Sequence, residues 1–227
     1  MNNRSKYINL LKGTPISKYI LGDMETFFDI GKIQSYKKKE IIFYEGIKGD
    51  RMHFLVDGIV RLYRSAPNGQ ERTLMFVKPG EMFGNIPLAD SLEHTVTAEV
   101  FEPAICLNLE NSYVRDYIKE KPDLLWYLAK DLTEKLRITN QALENAFLTA
   151  EQRIIRAILL IVDRFGKQTD AGVELGLRFT QDDLARFSGT TRSSVANVIS
   201  ALIEKGVLST RPKPWIICDI GFLRKMV

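Results

Sequence analysis

The most constraining feature of this chain is a change of hydrophobic period near Pro122. Between about Ile33 and Leu109 the apolar residues come in short β-branched or aromatic runs separated by glycine turns, clearest in "EIIFYEG", "RMHFLVDG", "IVRLYRSAPNG", "RTLMFVKPG" and "AICLNL". Turn signals at that spacing specify a compact antiparallel β sandwich or barrel. Within "APNGQ", Asn68-Gly69 supplies the positive φ of a tight hairpin. Beyond Pro122 the turn residues vanish. Leu125, Ala129, Leu132, Leu136, Thr139, Leu143 and Ala146 then follow a 4-3-4-3 spacing, the seam of a coiled coil. Three heptads in an otherwise globular chain predict a helix that pairs with its copy in a homodimer, with Leu125, Leu132, Leu136 and Leu143 as the contacts. The competing reading is a helix packed on its own β domain.

A third pattern begins at Thr149. With Gln152 three residues later it forms a capping box for "AEQRIIRAILLIVDRFG", which ends at Gly166. "KQTDAG" reads as a polar loop. Thr180 and Asp183 then cap a short helix over about 181–188. Gly189 permits a left-handed turn, and Thr191 caps the next helix. Two helices joined by a glycine-containing turn make a helix-turn-helix. On the second helix Val195, Val198, Ile199 and Leu202 form the apolar stripe, while Ser193, Asn197 and Ser200 point the other way and Arg192 sits in the first turn. A solvated helix face is normally dense in Lys and Glu. This one is short, uncharged and hydrogen-bonding, which suits approach to base edges and phosphates. "GVLSTRPKPWIICDI" follows as a β wing with Arg211 and Lys213 near its tip.

Charge agrees with that placement. Residues 1–150 carry 20 Lys+Arg against 20 Asp+Glu, and residues 151–227 carry 12 against 8, so the whole net charge of +4 lies in the last third. A basic end on a neutral body suits a polyanion. No run is long enough to span a bilayer, and "MNNRSKYINLLKG" lacks the apolar core of a secretory signal, so a cytoplasmic protein without membrane contact is expected. Cys106 and Cys218 read as small core residues of a reducing compartment. "KKK" at 37–39 reads as a solvated strand edge.

The order of parts, with "GEMFGNIPL" and "LARFSGTTRSSVANVISALIEKGVL", resembles the cyclic-AMP receptor protein / fumarate–nitrate regulator superfamily of bacterial transcription factors. The resemblance covers about residues 15–223. It implies an α+β fold: an N-terminal β-roll of jelly-roll, cyclic-nucleotide-binding type over 1–121, a dimerisation helix over 122–148, and a C-terminal winged helix-turn-helix over 149–227. It implies a homodimer on a palindromic double-stranded DNA operator, RNA polymerase as a further partner, and DNA contacts from Thr180, Thr191, Arg192, Ser193, Ser194, Asn197, Ser200, Arg211 and Lys213. The family's usual glutamate after the arginine is Ser193 here, and its second base-reading arginine is Asn197. Asparagine prefers adenine, so the operator is expected to differ from the family's common TGTGA or TTGAT half-sites.

The sensor motif departs in the same way. Members that bind cyclic AMP read "FGE" and carry a later arginine–serine pair for the cyclic phosphate. Here the residues are "FGN" at 83–85 and "HTVTA" at 94–98, so Asn85, His94 and Thr95 stand in those places. A mostly neutral histidine replaces arginine's permanent fork poorly, and cyclic-nucleotide binding is not expected. Asn85, Ile86, His94, Thr95, Thr139 and Asn140 are the candidate effector residues, a nearly uncharged cluster suited to a neutral or weakly acidic small molecule. The alternative is an effector-independent regulator whose pocket has drifted. No iron–sulfur cluster, haem or other cofactor is expected; His53 and Cys106 read as structural. Two rival functions are a metal-dependent cupin enzyme, disfavoured by having only His53 and His94, and a dimeric interaction module that ignores DNA.

Overall fold

The computed structural model describes residues 3–12, 14, 24–90, 92–211 and 213–227. These divide into two compact units, one comprising the residues to 140 apart from 71–73, the other 71–73 and 141–227. Among the described residues no helix is long and apolar enough to cross a membrane.

The first unit opens with helices α1 (Asn3–Leu11) and α2 (Met24–Ile30), which the strand pattern did not announce. Its sheet is built from β1 (Lys32–Tyr36), β2 (Ile41–Phe43), β3 (Arg51–Ser65), β4 (Glu71–Val77), β5 (Met82–Phe83) and β6 (Thr97–Glu110), with the short helix α3 (Ile86–Asp90) after β5. The strand order is β1-β6-β3-β4, with β2 also on β6 and β5 on β3. Helices α4 (Asn111–Glu120) and α5 (Pro122–Glu144) follow.

"RMHFLVDG" and "IVRLYRS", read above as two strands, are one. Gly58 is a bulge rather than a turn: its φ is +86°, and a Cβ there would run into the carbonyl oxygen of Pro103 on β6. The β3–β6 register shifts on both sides of it. Because strand side chains alternate, an inserted residue moves the inward set from one parity to the other. Leu55 before the bulge, and Val60 and Leu62 after it, all enter the roll's interior with Phe43, Phe83, Val100 and Cys106. Met52, Phe54 and Val56 face the other way, into a second core with Phe27, Phe28, Leu109, Leu124, Tyr127 and Leu128. One bent strand thus serves a roll and a helix-packed flank. Lys37–Lys39 form the exposed turn between β1 and β2, not a strand edge, with Lys39 at φ +70° and the Lys37 N–H donating to Glu40 Oε2 at 2.8 Å.

The second unit contains α6 (Ala150–Phe165), β7 (Lys167–Thr169), β8 (Gly172–Glu174), α7 (Gln181–Ser188), α8 (Arg192–Glu204), β9 (Leu208–Ser209), β10 (Ile216–Ile217) and α9 (Ile220–Arg224). Thr149 and Gln152 form a reciprocal capping box at the start of α6, whose Ile154, Ile155, Ile158 and Ile161 are buried. "KQTDAG" is not a plain loop but most of the β7–β8 hairpin, in a four-stranded sheet of order β7-β8-β10-β9. Cys106 is buried as expected; Cys218 is exposed, one position past the buried Ile217 that ends β10. Pro212, in the expected wing turn, lies outside the described residues, as does much of the stretch before Met24.

Candidate functional site

α7 and α8 are set by local chemistry. Thr180 and Asp183 cap α7 reciprocally, with Thr180 N–H donating to Asp183 Oδ2 at 2.9 Å and Asp183 N–H to Thr180 Oγ1 at 3.1 Å. Gly189 ends the helix at φ +65°, and Thr191 accepts the N–H of Ser194 at 3.1 Å to start α8. The turn between them spans Gly189–Thr191. It is braced by the buried Ser188 hydroxyl, which lies 2.8 Å from Leu184 O and 2.8 Å from Thr190 Oγ1.

Burial of Val195, Ile199 and Leu202 orients α8, leaving Arg192, Ser193, Asn197 and Ser200 exposed. Ser193, Asn197 and Ser200 follow i, i+4, i+7 spacing and so share one stripe. Ser194 is half-buried, and its hydroxyl, like that of Ser193, sits 2.9 Å from Thr191 Oγ1. Arg192 Nε is 3.8 Å from Asp182 Oδ1, with both side chains largely in solvent. Such an exposed pair is worth about 0–1 kcal/mol and is readily exchanged for an anion. Arg211 and Lys213 are exposed between β9 and β10.

A cavity of about 250 Å³ lies within the first unit, between the ends of β3 and β4, the segments 83–87 and 94–96, and one face of α5. It brings together Asn85, Ile86, His94, Thr95 and Thr139; Asn140 is exposed and does not line it. The cluster is not the nearly uncharged one expected, because Arg64 and Lys135 also line it. Both are paired. Arg64 is 2.6 Å from Glu45, and the Lys135 ammonium donates to Asp131 Oδ2 at 2.6 Å, Met82 O at 2.8 Å and Asn85 Oδ1 at 3.0 Å. Asn85 Nδ2 donates to the same Asp131 oxygen at 3.1 Å. An Asp-x-x-x-Lys spacing on α5 was the available signal for this network, but it also describes an ordinary solvated pair.

Histidines form the aromatic wall behind the cavity. His94 stacks on Phe43 with ring centroids 3.8 Å apart, and His53 lies 5.4 Å from Phe43 and 5.1 Å from Phe83. Burial pulls His53 down to about 4 from its ordinary 6.5, against the opposing effect of its hydrogen bond to Asn108, and burial also lowers His94. Both are therefore neutral at pH 7. Among the described residues no group of three or more His, Cys, Asp or Glu is gathered as metal ligands.

α5 carries a third surface. Leu124, Tyr127 and Leu128 are buried against the sheet, whereas Leu125, Leu132, Leu136 and Leu143 are 56%, 39%, 59% and 68% exposed. Ala129 and Thr139 are exposed as well, and so is Ala146 in the 3-10 turn (Asn145–Phe147) that follows α5, so every residue of the 4-3-4-3 seam is bare in the single chain, although the helix itself ends at Glu144. The helix does pack on its own β domain, but through an adjoining face.

Residues 33–121 match the cyclic nucleotide-binding domain family, and residues 152–226 match the Crp-like helix-turn-helix domain family. The cyclic AMP receptor protein of Thermus thermophilus is 32% identical over 178 residues, covering 78% of this chain and 79% of that protein. The CRP-like cAMP-activated global transcriptional regulator of Mycobacterium tuberculosis is 26% identical over 185 residues, 81% and 83% of the two chains. A solved transcriptional regulator of the CRP/FNR family, also from Thermus thermophilus, superposes with a TM-score of 0.71 at 26% identity, covering 86% of this chain and 97% of its own.

Proposed function

Because the chain belongs to the Crp/Fnr family of transcription regulators, we propose that two copies join along α5, read a palindromic DNA site with α8, and answer to a small molecule that is not a cyclic nucleotide. Like its relatives, the chain is a regulator of transcription and not an enzyme. The proposed organisation is a sensor roll over 1–121, a dimerisation segment over 122–148, of which 122–144 form α5, and a DNA-binding domain over 149–227, acting in the cytoplasm with RNA polymerase as a further partner.

The observation that carries DNA reading is the uncharged, exposed stripe Ser193–Asn197–Ser200 with Arg192 at its amino end, on a helix fixed by three buried aliphatics. Short polar side chains let the helix backbone approach the groove floor, Asn197 offers an amide for adenine, and Arg192 offers a fork for guanine or phosphate. Thr180, Thr191 and Ser194 contribute through the helix starts, and Arg211 and Lys213 through the wing. The exposed leucine seam supports the dimer, since a bare apolar stripe of this length is costly in solvent.

Departure from cyclic nucleotides rests on charge. Lys135, the mostly buried cation of the cavity wall, already holds Asp131, Arg64 is largely in solvent beside Glu45, and His94 is neutral and stacked. A buried phosphate without a matching cation forfeits about 3–5 kcal/mol. In vitro selection of bound DNA tests the reading: the recovered site is palindromic, places adenine where Asn197 reaches, and differs from both TGTGA and TTGAT. Arg192→Ala loses roughly 5- to 150-fold in specific affinity, the equivalent of about 1–3 kcal/mol, and stays dimeric. Recovery of either common half-site, or unchanged affinity of the Arg192 variant, rejects this assignment.

A further inference from the structure

We propose that the cavity takes an uncharged, planar, mostly apolar molecule of one or two rings carrying a single hydrogen-bond donor. This rests on reading the cavity as the effector site. Its walls are Leu62, Leu74, Met75, Phe83, Val96 and Ile138. Of the polar groups that join them, Lys135 and Asn85 are committed to each other and to Asp131, Arg64 is paired with Glu45 and largely in solvent, and His94 is stacked on Phe43. The Lys135 ammonium spends its three protons on Met82 O, Asn85 Oδ1 and Asp131 Oδ2, and Asn85 Nδ2 closes the loop onto Asp131. A ligand anion could recruit Lys135 only by stripping a mostly buried aspartate of its partner, and a cation would meet a carboxylate that is already neutralised.

Thr139 refines the class. Its hydroxyl donates to Lys135 O at 2.9 Å, so its remaining capacity is as an acceptor. A guest with one N–H or O–H can satisfy that acceptor; a guest with several polar groups leaves some of them dry. Size points the same way. A dry aliphatic cavity of about 150 Å³ holds benzene, and drug-sized ligands need about 300–1,000 Å³. At about 250 Å³ this space lies between the two.

Isothermal titration of the full-length protein at pH 7.5 with indole, benzoate and cyclic AMP tests the class. Indole is expected to bind at least tenfold more tightly than either of the others. Val96→Trp and Ile138→Trp, which fill the cavity from two elements, are each expected to lower indole affinity at least tenfold in protein that still unfolds cooperatively. Equal or tighter binding of benzoate or cyclic AMP overturns the proposal. So does absence of any heat with indole at millimolar concentration, or undiminished indole binding by a folded variant. If neither variant folds, the order of the three wild-type affinities decides alone. DNA footprinting run in parallel separates the two layers: a footprint with the affinity order reversed rejects the ligand class only, whereas indole binding without any footprint rejects the regulator reading only.

Discussion

Lowering the pH should loosen the β-roll through His53, and the size of the effect follows from its surroundings. His53 is 6% exposed on β3, packed on Phe83 and Phe43. Its Nδ1 is 2.9 Å from Asn108 Oδ1. The amide nitrogen of Asn108 is committed as donor to Tyr36 Oη at 3.1 Å and Gln34 Oε1 at 3.2 Å, so its oxygen faces the histidine and Nδ1 must carry the proton. Acid then protonates Nε2 and places a charge among aromatic rings, near Arg51 and His94, with Asp50 the favourable charge. The folded pKa of about 4 lies below the unfolded 6.5, so the unfolded chain binds the extra proton first. Stability is full above pH 6.5 and is lost as pH falls toward 4, by about 2 kcal/mol at pH 5 and about 3 kcal/mol in all. Burial lowers His94 too, and it adds loss in the same direction. Urea titrations between pH 7.5 and 5, followed by near-ultraviolet circular dichroism, measure this. His53→Phe should be about 1–3 kcal/mol less stable at pH 7.5, because Asn108 loses its donor, yet distinctly flatter between pH 6.5 and 5. A His53→Phe variant with the wild-type pH slope would refute the reasoning.

Three further outcomes are expected. Leu136→Glu should turn the dimer into monomers by sedimentation while leaving monomer stability within about 0.5 kcal/mol, since Leu136 is already 59% exposed in the single chain. Asn197→Arg should move the preferred base at its position from adenine to guanine, with a discrimination of about 1–3 kcal/mol read from binding to paired operators. Gly58→Ala should cost at least about 1–2 kcal/mol in denaturant unfolding, since the left-handed φ alone costs that much before the new Cβ meets the Pro103 carbonyl.

What the sequence made legible was chemistry confined to a few neighbouring residues. Thr180 with Asp183, Thr149 with Gln152, Gly189 at its left-handed turn and Thr191 at the next cap all bond within four positions, so their spacing is their mechanism. The β3 bulge was opaque for the opposite reason. A glycine with positive φ looks the same in a turn and in a bulge, and only Pro103, 45 positions later, distinguishes them. The β7–β8 hairpin escaped because Lys167, Gln168 and Thr169 are all exposed and show no alternation. Lys135 escaped because a lysine on a helix normally reads as solvated. Its burial depends on Asp131, one turn away, and on the Met82 carbonyl, 53 positions earlier.

The two surfaces of α5 account for how a ligand and a partner copy could influence each other. Lys135 and Ile138 line the cavity, Leu136 belongs to the exposed seam, and Thr139 belongs to both. A helix turn is too stiff for one side to move without the other, so a guest that pressed on Ile138 would displace the seam at Leu136 and Thr139. The Asp131–Lys135–Asn85 network would make such a displacement discrete. Its bonds to Met82 and Asn85 tie α5 to the roll, and a shift large enough to lengthen them breaks them rather than stretching them. An unlatched packing of α5, without these bonds, would differ from the present one by a few hydrogen bonds. That is the scale of the ~1–3 kcal/mol by which ligands commonly couple distant sites. Because coupling is reciprocal, a molecule that favours the unlatched packing binds more tightly to whichever dimer that packing assembles, and DNA that selects the same dimer tightens the ligand by the same factor.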